Sequence, residues 1–205
     1  MTSGPGRHEV AVLAGREGDA MSADAMVTKA FLEAFRHHPA GVAIIAGDPG
    51  DGPVALTVSS LISVSVEPPT VAFSLSEVSS NARSLARCET VVVHFVRRSN
   101  MQLARLCATS GAERFGSSVQ WDRLSTGEPF YPQVDVVFRA AIRGRLHAPG
   151  ASLVTAELLQ IVRSAREARD GETLVYADRS WHGLSPVVDT VRTPLDLWPD
   201  DSATF

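Results

Sequence analysis

The sequence predicts a mainly β fold of the α+β class: an antiparallel Greek-key barrel, closed or nearly closed, with a few helices packed outside it. Three observations carry this expectation. Strand-like segments come in blocks, in the order helix, strands, short helix, strand, helix, strands, and a doubly wound parallel sheet would need regular alternation. Turn-rich GDPGDGP (residues 47–53) and Pro149-Gly150 join neighbouring strands directly, as in antiparallel hairpins. The chain beyond about residue 134 is almost entirely strand-like, which suits a barrel.

The elements follow in order. Residues 1–22 are rich in Gly, Ala and small polar residues without a period, and read as a flexible N-terminal arm in which Met21 is an alternative start. Val27, Ala30, Phe31, Ala34 and Phe35 share one face of a helix over about Ala25–His38, which Pro39 stops. GVAIIA (41–46) is a short buried strand, and VALTVSSLISVSVEPP (54–69) returns as its hairpin partner. From Thr57 to Val66 that segment alternates, and one face carries Thr57, Ser59, Ser63 and Ser65 with no charge, an unusual solvent face for a strand. TVAFSL (70–75) is a third strand, and Ser79, Ser80 and Asn81 cap a short helix with Ala82, Leu85 and Ala86 inward. TVVVHFV (90–96) is a strand, and Ser99 with Gln102 forms a capping box for a helix to about Thr109, ended by Gly111. STGEPFYP (125–132) is a turn-rich loop. Strands over 134–147 and 151–165 flank a Pro-Gly turn, TLVYADRSWHGL (173–184) reads as one late strand, and residues 186–205 form a tail.

The domain over residues 23–185 is long enough for one substantial core. At 44% hydrophobic, 20% charged and net charge −4, the chain has no basic block, so nucleic acid is not its expected partner. No apolar run is long enough to span a bilayer, and no secretory signal pattern opens the chain, so the expected location is the cytoplasm. Cys88 and Cys107 are too few for a disulfide framework and read as small buried residues.

No residue pattern marks a nucleophile and its base: there is no G-x-S-x-G elbow and no Cys with a local His and acid. His37 and His38 point about 100° apart on a helix and read as cations at its C-terminal end rather than ligands of one metal. Ser79, Ser80 and Asn81 stand at a strand-to-helix junction, where they serve as plain caps or as an anion site. Arg139, Arg143, Arg145 and His147, all at odd positions of one strand, read as a charged sheet edge or as a docking face for a phosphorylated ligand. Tyr176 and Trp181 suit core packing or stacking on a planar ligand. The uncharged hydroxyl row suits either a protein neighbour or a neutral heteroaromatic ligand with a polyol chain.

Taken together, HPAGVAIIA, ALTVSSLISVSVEPPTVAFSL, SSNARSL, TVVVHFV and LVYADRSWHGL resemble the flavin reductase-like family, whose members have the FMN-binding split-barrel fold. The most specific block is T-V-S-S followed by S-V-S-x-E-P-P, and the likeness runs in order over about residues 30–184. The resemblance implies a homodimer with flavin between the barrel and the second subunit. It implies cofactor contacts from Pro39 and Gly41, from Thr57, Val58, Ser59 and Ser60 along the ring and ribityl chain, and from Ser79, Ser80 and Asn81 at the phosphate. His94 and Phe95, Arg114 and Phe115 of AERFG, and Arg179 with Trp181 complete the implied set. His94 stands where the family usually has Asn, Ala40 where it has Thr, and PGAS (149–152) where many reductases carry G-D-H near the nicotinamide.

The implied activity is NAD(P)H-dependent reduction of FMN or FAD, by NADH or NADPH, with reduced flavin supplied to a separate flavin-dependent monooxygenase. No catalytic side chain and no metal are expected, because hydride passes directly to the cofactor. The missing G-D-H motivates the alternative of a flavin-binding electron-transfer protein that does not use a nicotinamide. A barrel that has lost its cofactor and serves as an interaction module is the third reading.

Overall fold

The computed structural model describes residues 22–164 and 172–184; the expected N-terminal arm and C-terminal tail lie outside them. Contacts divide the chain into two units, Met1–His37 and His38–Phe205. In the first, α1 (Ala23–His37) begins where the Ser22 hydroxyl accepts from the Ala25 N–H at 3.3 Å, an N-cap bond. Its apolar stripe forms as expected, with Phe31 and Phe35 rings 4.6 Å apart.

The second unit is built on a seven-stranded sheet, antiparallel throughout and ordered β3-β2-β6-β9-β10-β5-β4. Its strands are β2 (Ala43–Gly47), β3 (Val54–Val58), β4 (Ile62–Val66), β5 (Pro69–Ser76), β6 (Thr90–Phe95), β9 (Val136–Ala148) and β10 (Ala151–Ser164). A three-stranded sheet orders β1 (Ala40–Gly41), β11 (Thr173–Ala177) and β12 (Ser180–Leu184), and β7 (Asp122–Arg123) pairs with β8 (Pro129–Phe130). The helices are α2 (Ser80–Leu85) and α3 (Met101–Ala108), the latter entered through a 3-10 turn at Arg98–Asn100.

Alternation along β2 explains how one sheet holds two cores. Ala43 and Ile45 face a cluster with Val58, Phe73, Leu75, Leu85 and Val91, while Ile44 and Ala46 face Val92, Ala104, Cys107 and Tyr131. Strands buried on both faces read as unbroken apolar runs, and VVV of β6 is such a run. The two edges of the seven-stranded sheet, β3 and β4, are consecutive in sequence and joined by residues 59–61 alone. That short link forces the sheet to curl until its edges meet, giving a barrel whose ladder stays open at one seam.

Several expectations change. The single alternating strand over residues 57–66 is two strands, because the chain crosses the seam at 59–61. TLVYADRSWHGL is a hairpin: Asp178 and Arg179 have φ of 50° and 58°, the left-handed pair of a two-residue turn whose twist matches the flanking strands. The capping box forms on the 3-10 turn ahead of α3, where the Asn100 side-chain oxygen accepts from the Arg97 N–H at 3.1 Å, and not between Ser99 and Gln102. Strand β9 is no edge, since it lies between β6 and β10.

Nor do Arg139, Arg143, Arg145 and His147 share a face. Ile142 pairs with Ala156 but Gly144 with Thr155, so Arg143 is an extra residue and the alternation inverts past it. Arg139 binds Glu128 at 2.8 Å and Arg143 binds Glu157 at 2.7 Å. Arg145 reaches the Cys88 carbonyl at 2.6 Å, and His147 Nδ1 lies 2.9 Å from the Ser152 hydroxyl.

Candidate functional site

Where β3 ends beside α3 and the β11–β12 hairpin, a cavity of about 230 Å³ is lined by Val42, Thr57, Ser59, Ala108, Tyr176 and Trp181. Its aromatic wall exists because Tyr176 and Trp181 sit directly opposite in the hairpin, with rings 5.1 Å apart and 67° inclined, the edge-to-face arrangement aromatic pairs favour. Thr57 donates its hydroxyl to the Ala104 carbonyl at 2.7 Å, which ties α3 to the edge of the sheet. Ser59 is exposed at the end of β3, where a short hydroxyl leaves room for a flat group. A second cavity of about 350 Å³ shares Val42 and is bounded by Gly41, Ala43, Leu61, Phe95 and Arg97.

Beside β3, the Ser79–Asn81 segment opens α2. The Ser79 hydroxyl accepts from the Ala82 N–H at 3.3 Å, so its capping role is realised. The side chain of Arg83 folds back on the same segment, donating to the Glu77 carbonyl at 2.6 Å. With its amide oxygen turned to the guanidinium of Arg114, Asn81 accepts from Nη1 at 3.0 Å and from Nη2 at 3.1 Å. Arg114 is itself buried and holds the C-terminal end of α3: Nε donates to the Cys107 carbonyl at 3.2 Å, Nη1 to Ala112 at 2.8 Å, and Nη2 to Thr109. The next residue, Phe115, stacks on Tyr131 with ring centroids 5.5 Å apart and 13° between planes.

Seen whole, the cavity offers neutral hydroxyls and an aromatic wall, with no paired acid and base in its lining. Among the described residues no group of three or more His, Cys, Asp or Glu side chains is placed to hold a metal ion. Such a donor set fits a planar heteroaromatic ring with a polar tail.

Residues 35–185 match the model of the flavin reductase like domain. The chain belongs to the flavin reductase-like family. It is 43% identical over 157 residues to the NADH:FMN oxidoreductase of Rhodococcus qingshengii, covering 77% of this chain and 82% of that relative. The crystal structure of a flavin reductase domain protein from Arthrobacter sp. FB24 superposes with a TM-score of 0.73 at 26% identity, over 80% of this chain and 99% of that one. Nitrilotriacetate monooxygenase component B from Mycobacterium thermoresistibile shares the fold with a TM-score of 0.73 at 17% identity, over 89% and 98% of the two chains. The split-barrel architecture expected from the sequence is therefore that of the family.

Within this flavin reductase-like chain the residues implied by resemblance separate into groups. Thr57, Ser59 and Trp181 line the smaller cavity, and Gly41 and Phe95 the larger. Pro39 is exposed just before β1, and Arg179 is exposed at the tip of the β11–β12 turn. Val58 turns its side chain into the core and lines neither cavity. Ser60 lines neither cavity; its hydroxyl accepts from the Ser74 N–H of β5 at 2.9 Å.

The side chain of His94 is withdrawn from the implied set. It is fully buried; Nδ1 lies 3.1 Å from the Ile44 carbonyl, and Nε2 accepts from the Tyr131 N–H at 3.0 Å, so Nδ1 carries the proton and no ring nitrogen is left for a ligand. Burial pushes its pKa down to about 4 against the two backbone carbonyls that raise it, and the ring is neutral at pH 7. Val42 and Ala108 line the cavity without any sequence signal. Tyr176 was legible only as an aromatic of a late strand, because pairing it with Trp181 requires the hairpin.

Proposed function

We propose that this protein is an NAD(P)H:flavin oxidoreductase that reduces FMN or FAD at the cavity beside β3 and supplies the reduced flavin to a partner monooxygenase. The observation that carries the reading is the cavity itself: on a flavin reductase-like scaffold, Ser59 and Thr57 face the Tyr176–Trp181 wall with no acid–base pair between them. A bound flavin supplies the hydride-accepting ring and the nicotinamide supplies the hydride. The chain's own residues then need only bind and align: the aromatic pair limits one side of the ring, the Ser59 hydroxyl offers a neutral hydrogen-bonding group along its edge, and buried Val42 lines the cavity with an apolar surface.

The relative named an NADH:FMN oxidoreductase supports NADH and FMN as one working pair. The neighbour named as a monooxygenase component supports a two-component arrangement with a separate oxygenase. A cytoplasmic homodimer is part of the proposal. Its support is the exposed apolar side chains of edge strand β4, Ile62, Val64 and Val66 at 58%, 54% and 51% exposure, which a second chain would cover. Among the described residues no helix is long and apolar enough to cross a membrane.

Oxidation of NADH and NADPH, followed at 340 nm with added FMN or FAD, tests the reading. Flavin-dependent turnover with either nucleotide supports it. Bound flavin with no turnover would favour electron transfer without a nicotinamide, for which the PGAS turn at 149–152 is the motive. No flavin binding at all would overturn both.

A further inference from the structure

We infer that Val42 is a specificity-determining residue: its side chain stands between the two cavities, and its size sets whether the three-ring system of a flavin can lie across both. This role rests on the flavin reading above and adds a residue outside the set implied by resemblance.

Volume makes the first point. Pockets that enclose a drug-sized ligand usually measure about 300–1,000 Å³. At about 230 Å³ the cavity beside the aromatic pair is smaller than that, and the one beside Phe95, at about 350 Å³, is near the lower bound. Neither encloses a flavin nucleotide by itself, while the two together fall well inside the range. Their linings have a single residue in common, Val42. A flat ring held between Ser59 and the Tyr176–Trp181 wall therefore reaches the larger cavity by passing Val42.

The course of the chain explains why one residue occupies that place. Val42 is the single residue between β1 and β2, where the backbone leaves the three-stranded sheet for the seven-stranded one. On one side of it, Ala40 pairs with Tyr176 of the aromatic wall; on the other, Ala43 pairs with Phe95 of the larger cavity. The Val42 N–H donates to the Leu174 carbonyl at 3.2 Å, which fixes the crossing. Its side chain is buried in the cluster with Ile44, Tyr131 and Leu174, and close packing leaves it little room to swing aside. A β-branched side chain is also stiff about χ1. Val42 thus presents a short, fixed apolar surface at the junction, and any added methylene takes space from the ring.

The test varies the size of this side chain and reads the flavin ring separately from its tail. Val42→Ile adds one methylene, and Val42→Ala removes two methyl groups. Affinities are measured for FMN and for lumiflavin, which keeps the three rings but lacks the ribityl phosphate. Both are read by quenching of flavin fluorescence, with thermal melts confirming that each variant is folded. Val42→Ile is expected to weaken both flavins by about tenfold, and Val42→Ala, which widens the junction, by no more than about threefold. In steady-state assays the flavin KM should rise in Val42→Ile while the NADH KM stays within about twofold. Val42→Leu, which narrows the junction with a different shape, replaces Val42→Ile if that variant melts far below the wild type. A loss in Val42→Ala as large as in Val42→Ile would overturn the inference, because lost packing alone accounts for it. So would unchanged affinities in both variants, or a loss for FMN without one for lumiflavin. A rise confined to the NADH KM would also overturn it, by giving the larger cavity to the nucleotide. Failure of the wild-type protein to quench either flavin would instead overturn the flavin reading, and this inference with it.

Discussion

The Ser60 hydroxyl accepts from the Ser74 N–H at 2.9 Å and lies 3.5 Å from the Ser74 carbonyl, carrying the β4–β5 pairing past Ile62 and Ala72 into the 59–61 link. One short side chain thus stands in for a missing strand pair between the residue 59–61 link and β5. Ser60→Ala leaves a partly buried N–H without its partner. The expected cost is about 1–2 kcal/mol, read as a Tm lower by roughly 2–8 °C. A melt indistinguishable from wild type would show that the 59–61 link holds to β5 without Ser60.

Thr57 and Ser59 are next to each other in the hydroxyl row, and their roles differ. Thr57 is bonded to the Ala104 carbonyl, so Thr57→Val is expected to destabilise the protein by about 1 kcal/mol. Ser59 has an exposed side chain at the cavity, so Ser59→Val is expected to weaken flavin binding by roughly three- to tenfold with little change in stability. Urea denaturation and FMN titration of the two single variants separate these outcomes; the reverse pattern would exchange the assignments.

His94 sets an acid limit on stability. Its pKa falls from the ordinary 6.5 to about 4 in the folded protein. Between those values the unfolded chain binds the proton and the folded chain does not, so stability drops as pH falls from 6.5 toward 4. The full shift corresponds to roughly 3 kcal/mol. Burial opposes ionisation of Glu128 and Asp48, but their hydrogen bonds outweigh it and hold both below the ordinary carboxylate range, so their stabilisation is lost only at still lower pH. Urea unfolding at pH 7, 5.5 and 4.5 should show the slope, and His94→Gln should flatten it. A wild-type stability constant across that range would contradict the buried neutral ring.

Cys88 and Cys107 are buried, and burial raises both thiols to a pKa of about 11. The thiolate is the reactive form. Native protein at pH 8 is expected to react with a thiol reagent at least about tenfold more slowly than denatured protein. Rapid labelling of the folded chain would contradict it.

Much of the fold was legible because its signals are local. The period of α1, the caps at Ser79, the Pro149-Gly150 turn and the apolar run of β6 each involve neighbours in sequence, and each element formed about where expected. The hydroxyl row likewise drew attention to Thr57 and Ser59, which line the cavity beside β3, through a motif written in adjacent residues. What tertiary structure decided was where each polar side chain spends its hydrogen bonds. Ser60 meets Ser74, Thr57 meets Ala104, His94 meets Ile44 and Tyr131, and Arg114 meets Asn81. Those partners are all 14 to 50 residues away in sequence. A motif records which residue types a site uses, but a donor has only so many hydrogens. Whether they face the core or a ligand is settled when distant strands and helices close around them.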